Sequence, residues 1–160
     1  MLYLGLKLIH IAAVILFLGN VITGLFWKRQ ADRANEPAII AHAFEGIIQS
    51  DRWFTIPGVI TIIAAGVGTA NVGNWPILGT GWILWAIVLF TVSGLAFTLR
   101  VAPLQVKIAR LAREGANQGQ FNWEQYRALA HSWELWGLVA VLLPVASVVL
   151  MVLKPALPAL

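Results

Sequence analysis

The chain has 160 residues, of which 59% are hydrophobic and 11% charged, and its mean hydropathy is +0.80. Soluble domains carry about 25% charged residues, so this composition excludes a soluble fold and predicts a protein embedded in a lipid bilayer. The net charge of +4 does not signal nucleic acid, because the basic residues flank apolar stretches, and the absence of cysteine excludes disulfides, thiolate metal sites and cysteine nucleophiles.

Four apolar stretches, residues 2–27, 54–72, 77–99 and 133–153, are each close to the roughly 20 residues that cross about 30 Å of hydrocarbon. They predict an all-α, four-transmembrane-helix bundle forming one integral membrane domain over residues 1–160. The first stretch has no basic leader and no small-x-small cleavage site after it, so it reads as a retained helix and not as a signal peptide. Within it Gly5, Ala12 and Gly19 recur every seven residues, with Thr23 one turn on, and predict a close-packing seam. His10 lies on the opposite side, flanked by Lys7, Val14 and Phe17.

Glu36 and Pro37 open a predicted amphipathic helix over residues 37–49, with Pro37 suited to the first turn. Asp51 and Thr55 are the expected caps ahead of Pro57, where the second span begins. That span carries a second small-residue seam, Gly58, Thr61, Ala65 and Gly68. The third span is expected to continue past Arg100 as a basic amphipathic helix, kinked at Pro103 and ending at Gly115. Residues 115–122 read as a polar turn, and a long fourth helix is expected from near Trp123.

A five-residue phrase occurs twice: Ala41, His42, Ala43, Phe44, Glu45 and Ala130, His131, Ser132, Trp133, Glu134. Upstream, Val14, Ile15, Leu16 and Phe17 align with Ile87, Val88, Leu89 and Phe90. The chain therefore reads as two tandem hairpins, about 2–73 and 77–153. In each phrase a histidine and a glutamate three residues apart share a helix face. If the hairpins pack about a pseudo-twofold axis, His42, Glu45, His131 and Glu134 are expected to meet as a site for a divalent transition metal such as Zn or Fe. The competing reading is electrostatic, with Glu45 and Glu134 paired to Arg52, Arg100 or Arg127.

Nine of the basic residues lie between spans one and two or between spans three and four, and none lies in the middle loop. The positive-inside rule then puts both termini and the middle loop outside the cytoplasm. Trp27, Trp53, Trp123 and Trp133 form the predicted inner aromatic belt, and Tyr3, Trp75, Trp82 and Trp85 the outer one.

His10 sits about seven residues inside the outer end of the first span, roughly 10 Å deep at 1.5 Å per residue. An intramembrane histidine is either hydrogen-bonded to a backbone carbonyl or to Asn20 or Asn71, or it is a functional group. The functional expectation is axial ligation of a b-type haem, with Met151 at comparable depth as the second ligand. His131, roughly 35 Å from the same surface, is too deep to share that haem. The leading reading is a small cytochrome-like membrane redox protein exchanging electrons with a quinol or partner protein. The alternative is a metal-binding or structural accessory protein, and a homo-oligomer is compatible with both. No nucleophile elbow or phosphate-binding glycine loop is present, and whether the chain is an enzyme stays open.

The residues Lys7, Leu8, Ile9 and His10, the pair Gly19 and Asn20, the exit Trp27 and Lys28 with Ala31, Asp32 and Arg33, Asp51 followed by residues 54–58, and the closing residues 150–155 together resemble the predicted integral membrane proteins of domain-of-unknown-function family 2269. This resemblance covers nearly the whole chain and implies a multi-pass protein of the bacterial inner membrane. The first helix is also similar to that of HemJ-type protoporphyrinogen oxidases, haem-associated membrane proteins, because Lys7, His10 and Phe17 match the spacing of that family's lysine, histidine and aromatic residue. That resemblance implies haem ligation by His10. It ends after Phe26, and the third span lacks that family's lysine, so it does not extend to porphyrinogen oxidation.

Overall fold

The structure, a computed structural model, describes all 160 residues, and the backbone is helical almost throughout. Two arms are unbroken helices, α1 (Leu2–Ala34) and α6 (Trp123–Leu153). The other two each join a membrane helix to a polar extension through one π-helical turn. In the first, α2 (Pro37–Ser50) runs through Asp51–Thr55 into α3 (Ile56–Val72). In the second, α4 (Gly81–Ala96) runs through Phe97–Val101 into α5 (Ala102–Gln118). All four arms are long and apolar enough to cross a membrane, as the sequence predicts.

Proline explains the π turns. Pro57 and Pro103 lack the N–H that an α-helix needs, and their rings crowd the carbonyl four residues back. Widening the preceding turn carries the helix past them: Ile56 N–H reaches back to the Asp51 carbonyl, and Ala102 N–H to that of Phe97. Asp51 and Thr55 are consequently not caps, contrary to the sequence expectation. They stand inside a continuous helix with their side chains buried. The third arm also passes Gly115 and ends at Gln118, where Gly119 takes a left-handed φ of 68°. Gly115 is glycine for a packing reason, since a Cβ there would lie 2.5 Å from Cδ2 of Phe121. Elsewhere the boundaries follow expectation: Pro37 opens α2 and α6 starts at Trp123, where the structure adds a cap, Asn122 accepting the Gln125 N–H at 3.0 Å.

Within the apolar half α1 packs along α3 and α4 along α6, while α2 and α5 pack together at the basic end. The face that α1 turns to α3 is not the predicted glycine seam. Gly5 and Gly19 have no neighbour within 4 Å, and Leu6, His10, Ala13 and Phe17 make the contact instead. The space comes from the partner: Gly58, Gly66 and Gly68 of α3 lie against Phe17, His10 and Leu6 respectively. Close approach needs small residues on one helix only.

Two aromatic contacts join residues that align between the hairpins. Phe17 and Phe90, aligned in sequence, meet edge to face with centroids 5.7 Å apart, and the aligned Phe44 and Trp133 meet likewise at 5.4 Å. Equivalent residues facing each other lie on a pseudo-twofold axis. Around its basic end the main core forms from Ala31, Ile40, Phe44, Ile108, Tyr126 and Trp133, among others. Towards the other end the buried cluster shrinks to Ala13, Phe17 and Ile62. There the C-terminal tail folds back on α4: Leu160 N–H donates to the Leu78 carbonyl, and a Cβ on Gly81 would collide with the Leu157 carbonyl oxygen.

Candidate functional site

Side-chain polar links between the hairpins cluster at the basic end, and the innermost of them centres on Asp51. Asp51 is 8% exposed, and its carboxylate accepts three hydrogen bonds from three different elements. Thr55, one turn on in the same π segment, donates to Oδ1 at 2.7 Å; Asn20 of α1 donates to Oδ1 at 3.2 Å and to the Thr55 hydroxyl at 3.0 Å. Gln105, from α5 of the second hairpin, donates to Oδ2 at 3.0 Å. All three donors are neutral, and no lysine, arginine or histidine nitrogen lies within 4.0 Å. Asp51 and Thr55 are the first and last residues of the π turn, and both face inward.

Beside this carboxylate is a cavity of about 20 Å³, enough for one water, lined by Asn20, Gly24, Asp51, Gln105, Trp133 and Ala140 among others. Trp133, 4% exposed, has the molecule's one buried side-chain polar atom without a partner, its indole Nε1–H. An unpaired buried donor costs roughly 1–3 kcal/mol.

A second cluster lies further towards the basic end, where α1 and α6 leave the apolar half. Lys28, 5% exposed, pairs with Asp32 at 2.7 Å and with Glu134 of the other hairpin, and Tyr126 donates its hydroxyl to Asp32. Burial, reinforced by the Asp32 and Glu134 charges, pushes the Tyr126 phenol well above its ordinary range, so it stays a donor. Glu45 forms a two-pronged pair with Arg113 across α2 and α5, one arm being Nε–Oε1 at 3.0 Å.

These pairs decide the geometry of the predicted metal set. His42 and His131 are exposed, pointing away from the axis on which Phe44 and Trp133 meet, and Glu45 and Glu134 are engaged by Arg113 and Lys28. No group of three or more His, Asp or Glu side chains comes together anywhere in the chain. The expectation that His42 and His131 approach each other is therefore corrected by two positions, half a helical turn. The electrostatic partners also differ from those expected: Arg113 and Lys28 take the places assigned to Arg52, Arg100 and Arg127.

His10 lies between α1 and α3. Its Nδ1 is 2.9 Å from the Ile62 carbonyl and its ring packs on Gly66, where a Cβ would lie 3.0 Å from Cε1. A carbonyl only accepts, so Nδ1 carries the hydrogen and Nε2 of the neutral ring keeps its lone pair. Phe17 is buried two turns along the same face, and Lys7 is exposed. Met151 belongs to α6, whose partner in the apolar half is α4, and the repeat aligns Met151 with Ile62 and Ile83 with His10. His10 and Met151 thus sit in different helix pairs.

The model of the family described as a predicted integral membrane protein, DUF2269, matches residues 4–155. The chain belongs to this family. No curated protein and no solved structure matches it. Asp51, Asn20 and the segment into Gly58, by which the sequence resembles this family, include the polar centre just described, which in sequence alone reads as a helix cap. The signal that marks the centre is a break in the repeat, which aligns Asp51 with Ala140.

Proposed function

We propose that this family member is a proton-accepting membrane protein whose working group is the Asp51 carboxylate, acting at the junction of its two hairpins. The observation that carries the reading is a buried carboxylate served by three neutral donors and no cation. Ionised, Asp51 accepts from Asn20, Thr55 and Gln105 together. Protonated, one oxygen must donate, and at least one of those bonds is lost or turned. Because Gln105 is the donor from the second hairpin, proton uptake acts on the contact between the hairpins, and the thinly packed apolar half leaves them room to respond. The basic residues support an orientation in the bacterial inner membrane with this end towards the cytoplasm and both termini outside.

The chain lacks cysteine, so spin labels can be attached singly at introduced cysteines. With labels at the exposed Ile60 of α3 and Leu142 of α6, the distance distribution in reconstituted bilayers should change reversibly with pH, and Asp51→Asn should hold it at one value. A distribution that responds to pH equally in Asp51→Asn removes the reading.

A second reading, a b-type haem protein exchanging electrons with a quinol or partner protein, is favoured by one observation. The Nδ1–H bond from His10 to the Ile62 carbonyl orients the ring and leaves Nε2 free, as an axial ligand requires. His10 fits the first ligand position. Met151 lies in the other helix pair, so the second position would be filled across the hairpins, by another copy, or remain open. Protein produced with haem available should show a Soret band that His10→Ala abolishes; a preparation that stays colourless with added haemin rejects this reading without touching the Asp51 proposal.

A further inference from the structure

All seven acidic residues lie towards the basic end, between Asp32 and Glu134, and none occurs in residues 1–31, 52–113 or 135–160. The end that carries the termini and the middle loop therefore has no carboxylate side chain. Yet a cation is held there. The Lys154 ammonium stands 5.5 Å from the ring centroid of Trp75 and 5.2 Å from that of Trp82, and these two indoles meet edge to face at 5.7 Å. Tyr3 and Trp75 close in over Gly73, where a Cβ would lie 2.7 Å from Trp75 Cδ1 and 2.9 Å from Tyr3 Cε2.

Local structure aims the lysine. Lys154 is the left-handed C-cap of α6, with φ 48° and its N–H on the Leu150 carbonyl, so the chain leaves the helix abruptly. The tail then runs along α4, with the Trp85 Nε1–H donating to the Pro158 carbonyl at 3.2 Å. Lys154 and Trp75 are both exposed, so the paired rings are reached from the surface.

We propose that Trp75 and Trp82 form a binding site for a quaternary ammonium group, which Lys154 fills as an internal stand-in. A primary ammonium is a poor match for this site: its three N–H groups need acceptors, and aromatic faces satisfy them weakly. A trimethylammonium group has no N–H, spreads its charge over methyls and presents apolar surface to two indoles, the chemistry that aromatic cages recognise. The group arrives either on a choline lipid or on a small free solute.

The test uses the full-length protein labelled with 5-fluorotryptophan in nanodiscs of phosphatidylglycerol, followed by fluorine NMR during titration with tetramethylammonium. Trp75→Phe and Trp82→Phe assign the two lines. Both lines should shift saturably in the wild type, and Lys154→Gln should lower the midpoint roughly fivefold by removing the competitor. Ammonium at equal ionic strength should leave the lines in place, and Trp82→Leu should abolish the response of Trp75. If Trp82→Leu is misfolded, Trp82→Phe, a weaker cation binder, should raise the midpoint instead. Lines already shifted in phosphatidylcholine nanodiscs identify the lipid headgroup as the source, and lines unchanged there identify a free solute. The proposal is overturned by an unsaturable response, by ammonium matching tetramethylammonium, or by equal midpoints in wild type and Lys154→Gln.

Discussion

At the level of His10, hairpin one ties its two helices by a ring nitrogen on the Ile62 carbonyl, while hairpin two places Ile83 and Met151 at the aligned positions. One level nearer the basic end, Ala13 faces Gly58 in hairpin one, and in hairpin two the aligned pair is Ala86 and Ser147, the hydroxyl standing 3.1 Å from the Ala86 carbonyl. A level further, Asn20 donates to Asp51 where Ser93 donates to the Ala140 carbonyl at 2.7 Å. The contacts correspond and the chemistry does not. Hairpin two spends its hydroxyls on the backbone: Pro144 has no N–H to give the Ala140 carbonyl, and Ser93 supplies the missing donor. Hairpin one also bonds hydroxyls to its backbone, but at this level Asn20 and Thr55 serve a side-chain carboxylate instead. The two hairpins share a scaffold of contacts, and only hairpin one places a carboxylate in it.

The largest effect is expected at the group that has no counterpart. Asp51→Leu strands the amides of Asn20 and Gln105 and the Thr55 hydroxyl, and should cost roughly 3 kcal/mol of stability, against about 1 kcal/mol for Asp51→Asn, which keeps one acceptor. Denaturation in mixed detergent micelles measures both; equal losses would mean that Asp51 serves packing alone. Next is Lys28→Met, which leaves Asp32 and Glu134 without their shared cation. Breaking a buried pair costs about 3–5 kcal/mol, and partial solvation of both carboxylates reduces the expectation to roughly 2 kcal/mol.

In hairpin two, Ser93→Ala should cost about 1 kcal/mol. In a Pro144→Ala background, where the substituted residue brings a backbone N–H that can serve the Ala140 carbonyl, the same change should be close to neutral. A double-mutant cycle in which the two losses simply add would contradict the assigned role of Ser93. The smallest effect belongs to the duplicated phrases: His42→Ala and His131→Ala, both at exposed positions, should each stay within about 0.5 kcal/mol and leave metal content unchanged by elemental analysis. A variant that loses bound metal would revive the metal site.

The four spans, the tandem hairpins, the start of α2 at Pro37 and that of α6 at Trp123 were legible because each depends on residues close in sequence or on composition. The role of Asp51 was not. An aspartate and a threonine ahead of a proline look locally like a helix start, and only donors 31 and 54 residues away turn them into a buried centre. The same limit applies to α1, where the glycine seam was visible but the glycines that make room for His10 and Phe17 belong to α3. Register about the axis was legible to within two residues: the repeated phrase located the contact, and which of its members faced inward depended on helix rotation, here favouring Phe44 and Trp133 over the histidines.

The central claim is that Asp51 exchanges a proton while its surroundings stay folded. Infrared difference spectroscopy of the reconstituted protein across a pH series, with Asp51→Asn as the blank, reads the carboxyl group directly. The account predicts a protonated carboxyl band that appears and disappears reversibly with pH, shifts in deuterium oxide and is missing from Asp51→Asn. A carboxylate that stays ionised wherever the protein is folded, or a band that persists in Asp51→Asn, would contradict it.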